Sequence, residues 1–125
     1  MIQSIGQVML YVNNPEAAAK FWNEKVGFER VERQEQGPQV SYVIAPKVDS
    51  DVQFVLHDKA AVAEMHPEMF LGIPSILMAS ADVEKTYQEF IERGVNANPV
   101  MDLGFMKTFN FSDEEGNYYA VQEVK

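Results

Sequence analysis

The apolar positions of this chain repeat with period two in some stretches and near 3.6 in others, and the order of these stretches recurs. From Ile5 to Val12 branched and aromatic residues alternate, which predicts a strand. Asn13-Asn14-Pro15-Glu16 then offers an N-cap with proline at the first helical position, where its missing N–H costs nothing. Ala18, Phe21, Trp22 and Lys25 or Val26 follow at helical spacing, and Gly27 supplies a C-terminal stop. Three extended segments are expected next, Phe28 to Arg33, Val40 to Ala45 and Val52 to His57, with turns over 34–38 and 46–51.

The second half repeats the order. Ser75 to Ser80 reads as a strand, and Asp82 caps a helix carrying Val83, Tyr87, Phe90 and Ile91 before Gly94 closes it. Extended segments follow near Val95 to Val100, Phe105 to Ser112 and Tyr118 to Val124, the last two joined by the turn Asp113-Glu114-Glu115-Gly116-Asn117. Placing Gly27 on Gly94 aligns the halves with a one-residue difference in helix length, as duplication of a strand-helix-three-strand unit would give. The expected organisation is one domain over 1–125, with module 1 at 1–58, a connecting segment at 59–74 and module 2 at 75–125. The connecting segment holds a short helix that ends before Pro67, and its Met65, Met69, Phe70, Leu71 and Ile73 call for packing against the chain's own sheet or a second subunit.

Composition narrows the function classes. At 125 residues and 46% hydrophobic content the chain supports a core and argues against disorder. No apolar run reaches the length of a membrane span, and Met1-Ile2-Gln3-Ser4 lacks a signal peptide's pattern, so no membrane role and a cytoplasmic location are expected. The absence of cysteine removes disulfides, a thiol nucleophile and thiolate metal sites. A net charge of −9 repels phosphate backbones, so no nucleic acid is expected as a partner.

Phe21-Trp22-Asn23-Glu24-Lys25-Val26-Gly27-Phe28 and the Asp113–Asn117 turn resemble two motifs of the vicinal oxygen chelate superfamily, the glyoxalase/bleomycin resistance protein/dioxygenase group. In the turn, Glu114 stands where that family has proline. The resemblance implies an α+β fold of two βαβββ modules forming an eight-stranded, half-open barrel whose concave face binds the ligand. It also implies a homodimer. In metal-dependent members four ligands project from that face, and here the matching positions are Gln7, Val55, Ser75 and Ala120. Valine and alanine carry no donor atom, serine is a poor ligand, and one amide does not hold a divalent ion. The expected metal and cofactor content is therefore none. A site rebuilt from Gln7, His57 and Gln122 would lack a carboxylate, and the chain's two histidines, His57 and His66, fall on a strand end and in the connecting segment.

Period-two alternation names the residues that would line a metal-free pocket: Gln7, Met9 and Tyr11 of the first strand, Gln53, Val55 and His57 of the fourth, Ser75, Leu77 and Ala79 opening module 2, and Tyr118, Ala120 and Gln122 of the last strand. In the competing reading Met9, Leu77 and nearby aromatics fill the groove as core. Met101 to Met106, flexible at Gly104, is read either as a lid or as a loop tucked into the core or a dimer contact. The reading favoured is a metal-free binder of a small molecule. Its alternatives are a divalent-metal-dependent glyoxalase I-like lyase or isomerase, and a metal-free enzyme using His57 or Tyr118 for proton transfer.

Overall fold

A computed structural model describes residues 1–124. The chain divides into two compact units, Met1–Ile73 and Pro74–Lys125, the connecting segment grouping with the first.

In the first unit, strand β1 (Gln7–Val12) leads into helix α1 (Pro15–Phe21), which continues as a π-helical turn over Trp22–Val26. Asn14 caps α1 by accepting from the Ala17 N–H at 3.1 Å, with Pro15 behind it, as the sequence predicts. Gly27 ends the turn at φ 92°, a left-handed conformation that costs a glycine little. Strands β2 (Glu29–Gln36), β3 (Gln39–Ala45) and β4 (Gln53–Asp58) complete the sheet in the order β1-β4-β3-β2, with β1 and β4 parallel. β2 reaches three residues beyond its expected end, because the turn to β3 is only Gly37-Pro38.

One side of this sheet is covered by α1 and the π-helical turn. Leu10, Val12, Ile44 and Leu56 are fully or almost fully buried there. Trp22 is also buried, with its ring centroid 4.9 Å from Phe28 and 5.7 Å from Phe54. These aromatics are the first unit's principal apolar mass; burying each such side chain stabilises by about 1.5–3 kcal/mol. Helix α2 (Lys59–Met65) follows β4 directly, capped by Asp58 through the Ala61 N–H at 3.2 Å. It stops before Pro67, as expected. The packing anticipated for the connecting segment is only partial: Leu71 is buried, while Met65, Met69 and Phe70 stay exposed.

The second unit uses the same topology. Strand β5 (Leu77–Ser80), helix α3 (Val83–Glu92), strand β6 (Asn96–Ala97), strand β8 (Lys107–Ser112) and strand β9 (Tyr118–Glu123) form the order β5-β9-β8-β6, with β5 and β9 parallel. A further short strand, β7 (Met101–Asp102), pairs with β8. Asp82 caps α3 through the Lys85 N–H at 3.1 Å, and Gly94 follows the helix at φ 81°. Val83 and Phe90 of α3 are buried over one side of the sheet, with Phe90 5.1 Å from Phe111 and Phe111 stacked on Tyr119 at 5.4 Å. Ile91, assigned to the apolar stripe by spacing, is exposed at the edge of that face.

Three second-unit expectations change. β5 starts at Leu77, so Ser75 precedes it, although the Ala120 N–H still donates to the Ile76 carbonyl at 3.2 Å and extends the ladder by a step. The strand expected over Val95 to Val100 shrinks to two residues, consistent with Pro99 removing a ladder donor. The Met101–Met106 stretch is a β-hairpin end, with Leu103 donating to the Met106 carbonyl at 2.9 Å and Asp102 accepting from the Gly104 N–H. Its Met101, Leu103 and Phe105 are exposed rather than tucked into the core.

Candidate functional site

In each unit the helix covers one side of the sheet, and alternation sends the expected site residues to the other. The parallel ladder of the first unit pairs Gln7 with Gln53, Met9 with Val55 and Tyr11 with His57. Six of the residues expected from the sequence thus stand in three rows on the face opposite the helix, uncovered in the sense that α1 does not pack on it, although Val55 at its centre is buried. The second unit repeats the arrangement, pairing Leu77 with Ala120 and Ala79 with Gln122. Tyr118 stands opposite Ser112 on β8, on the same side as Ala120, and is exposed.

The rows of the first unit interact. Gln7 Nε2 donates to Gln53 Oε1 at 3.2 Å, so the amide at the first family ligand position already has a partner in its neighbour. His57 lies 5.8 Å from the Tyr11 ring, nearly parallel to it. Its Nε2 is 3.1 Å from Met9 Sδ and its Nδ1 is 2.8 Å from Ser41 Oγ. A thioether only accepts, so both contacts are hydrogen bonds when Nε2 carries the proton and the Ser41 hydroxyl donates to Nδ1. Burial pushes the His57 imidazole below its ordinary pKa, which favours this neutral form at pH 7.

Ser41 lies outside the set expected from the sequence. Its signal is a lone hydroxyl inside the apolar run Val40-Ser41-Tyr42-Val43, and assigning it to His57 requires the β3–β4 register. Tyr42 pairs with Leu56 and Val43 with Val55, so the next step brings Ser41 opposite His57. On the same face Val43 and Val55 are buried, whereas Met9 is 41% exposed. In the second unit Leu77 is 53% exposed. Neither Met9 nor Leu77 acts as core filling, the competing reading of these positions. Asn110 and Thr108 join Ala120 and Gln122 through the β8–β9 ladder, again polar residues that only the pairing reveals.

The residues present do not suit a divalent ion. At the four positions matching family ligands, Gln7 is engaged by Gln53, Val55 and Ala120 offer no donor, and Ser75 is a single exposed hydroxyl. Among the described residues no cluster of three or more His, Asp or Glu side chains is placed to hold a metal. The acidic Asp113–Asn117 turn is organised internally: Asp113 accepts from the N–H groups of Glu115 and Asn117 and from the Asn117 side-chain amide at 2.8–3.0 Å. The Tyr119 hydroxyl approaches the same carboxylate at 3.4 Å, and burial with that negative charge pushes its pKa up. His66 lies in the connecting segment, 3.7 Å from Glu68, and takes no part in the His57 cluster.

Three surface hollows among the described residues are lined by none of the expected residues. Two, of about 450 and 230 Å³, share Arg33, Tyr42 and Glu16 near the start of α1, and a third of about 310 Å³ lies at the β7–β8 hairpin beside Phe105 and Lys107.

The comparisons with known proteins agree with this architecture. The family model described as Glyoxalase/Bleomycin resistance protein/Dioxygenase superfamily matches residues 4–121. The chain belongs to that superfamily. The protein YetH of Bacillus subtilis (strain 168) is 31% identical over 125 residues, covering 98% of this chain and all of its own length. Among solved structures, TnmS3, an antibiotic binding protein from Streptomyces sp. CB03234, aligns with a TM-score of 0.83 at 26% identity over 99% of this chain and 98% of that one. A glyoxalase/bleomycin resistance protein from the same Streptomyces aligns with a TM-score of 0.75 at 27% identity, over 94% of this chain and 98% of the other. The expected α+β class with a duplicated unit is met. No helix among the described residues is long and apolar enough to cross a membrane.

Proposed function

We propose that this protein is a metal-free binder of a small organic molecule, held on the uncovered faces of its sheets. The observation that carries the reading is the donor chemistry at the four family ligand positions: Gln7 is tied to Gln53, and Val55 and Ala120 have nothing to coordinate with. What those faces offer instead is thioether, phenol, imidazole and amide groups beside aliphatic side chains, the mixture that small-molecule pockets use. The likeness to an antibiotic binding protein at 26% identity supports binding of a small organic molecule. Under this reading Met9, Tyr11 and His57 are the ligand contacts of the first face, bordered by Gln7 and Gln53, and Leu77, Tyr118, Ala120 and Gln122 are those of the second, bordered by Ser75. Buried Val55 backs the first face.

The proposal includes a homodimer in the cytoplasm. Exposed Phe70 and Phe105 are the kind of apolar surface that a second copy would cover, and light scattering at micromolar concentration gives the mass directly. Binding itself is tested by screening uncharged and cationic antibiotics for an upward shift in the unfolding temperature of chelator-treated protein. A compound at 100 times its dissociation constant adds about 2.7 kcal/mol. Stabilisation by a divalent ion, with turnover of a hemithioacetal, would establish the lyase reading in its place.

A further inference from the structure

Ladder register assigns each strand residue to the helix-covered or the uncovered side of its sheet. On the uncovered side of β1, β4 and β3 there are amides, a thioether, a phenol, an imidazole, a hydroxyl and aliphatic groups, with no formal charge at neutral pH. On that of β5, β9 and β8 the residues are again uncharged, from Leu77 and Ala79 to Asn110 and Gln122. Charge enters at the edge strand β2, where Glu29 pairs with Ala45 and Glu32 with Val43, and both groups are acidic.

The basic residues lie elsewhere. A register shift between Arg30 and Glu32 puts both Arg30 and Arg33 on the covered side, opposite Ile44 and Tyr42. There Arg30 sits 5.1 Å from the centre of the Tyr42 ring and Arg33 pairs with Glu35. Lys107 is one residue out of phase with Thr108, and the other described basic residues lie on helices or in turns. Lys59 opens α2, the helix whose Met65 meets Gln39 at the border of the first face. An anion brought onto these faces would lose water and find no counter-charge on the strands that form them. A cation would meet Glu29, Glu32 and the field of a chain with net charge −9.

We infer that the uncovered faces discriminate by charge: they accept uncharged or cationic organic compounds and reject carboxylates, phosphonates and phosphates. This rests on the binding reading above and adds a ligand class to it. His57 does not supply the missing positive charge, since both its nitrogens are engaged by Ser41 and Met9 and its burial favours the neutral ring.

The test is a titration of the full chain, labelled with carbon-13 in its methionine methyl groups, by three probes that share one ring system: 1-naphthylmethylamine, 1-naphthalenemethanol and 1-naphthoate. Met9→Leu identifies the Met9 signal. The amine and the alcohol are expected to shift it saturably, with the carboxylate at least roughly ten-fold weaker, as an unpaired desolvated charge requires. Gln7→Arg, an exposed change on the same face, should restore naphthoate binding. Naphthoate shifting Met9 as strongly as the amine in the unmodified chain overturns the charge selection and leaves the binding reading standing. If all three probes leave Met9 unmoved, the binding reading fails, and the selection with it.

Discussion

Gly27 follows the capping Asn14 by thirteen positions, whereas Gly94 follows Asp82 by twelve. The second unit spans its interval with a regular helix closed by Gly94, and the first holds one more residue in the π-helical turn Trp22–Val26. A π-turn closes on the fifth residue instead of the fourth, so one residue is absorbed without changing the phase of the strands after it. The strand order after the helix is accordingly the same in both units. The two units thus share the sheet order and a helix-covered core, and differ on the uncovered faces. The first carries the Tyr11–His57–Met9–Ser41 cluster, and the second carries small and amide side chains around Ala79, Ala120 and Gln122.

The equivalence of the two units is most exposed to failure in their covered cores. Trp22→Ala should cost about 3–5 kcal/mol in urea unfolding, and Phe109→Ala in the second unit should cost a similar amount, because each removes a buried ring with ring neighbours. A cost near 1 kcal/mol at either would mean that unit is not built on its aromatic core. Deleting exposed Glu24 should leave a folded chain with a regular first helix; far-ultraviolet circular dichroism showing loss of structure would refute the account of the extra residue.

The turns before the last strands differ more than the helices do. Asp113→Ala should destabilise by about 2 kcal/mol, since its carboxylate organises the whole turn through charge-assisted bonds. Ser50→Ala in the matching turn of the first unit loses one bond to the Lys47 N–H and should cost about 0.5–1 kcal/mol. The N-caps should behave alike, with Asn14→Ala and Asp82→Ala each costing about 1 kcal/mol; unequal costs would show that the two helices are not equivalent supports.

The smallest effect separates the uncovered faces. Burial lowers the folded-state pKa of His57 below 6.5, so the unfolded chain takes up the proton first as pH falls. The associated stability is present above 6.5 and is lost as pH drops through the folded value. Unmodified protein should therefore lose more stability between pH 8 and pH 5 than His57→Gln, as read by urea midpoints. Equal losses would place His57 in water.

Much of this was legible in the sequence because it is local. Asn14-Pro15, Asp82, Gly27 and Gly94 mark the helix ends through backbone geometry that few other residues satisfy. Alternation alone places Gln7, Met9 and Tyr11 on one face, without knowledge of the pairing. The features that stayed hidden depend on partners distant in sequence. Ser41 matters because β3 brings it beside His57, sixteen residues on. The π-turn shows in the sequence only as a length difference, and the β7 strand exists because β8 passes next to Met101. The ligand positions come from the family resemblance, counted along the strands, and register puts Gln7 and Val55 on one face and Ala120 beside Leu77.

The binding reading rests on the proposal that an uncharged surface stands in replacement of the family's ion site. Thermal unfolding of chelator-treated protein with and without nickel, zinc, cobalt, manganese or iron(II), combined with elemental analysis, tests that replacement most directly. Unchanged unfolding temperatures and substoichiometric metal are expected. A stabilisation on the order of 2.7 kcal/mol, as an ion at 100 times its dissociation constant would give, together with about one ion per chain, would contradict it.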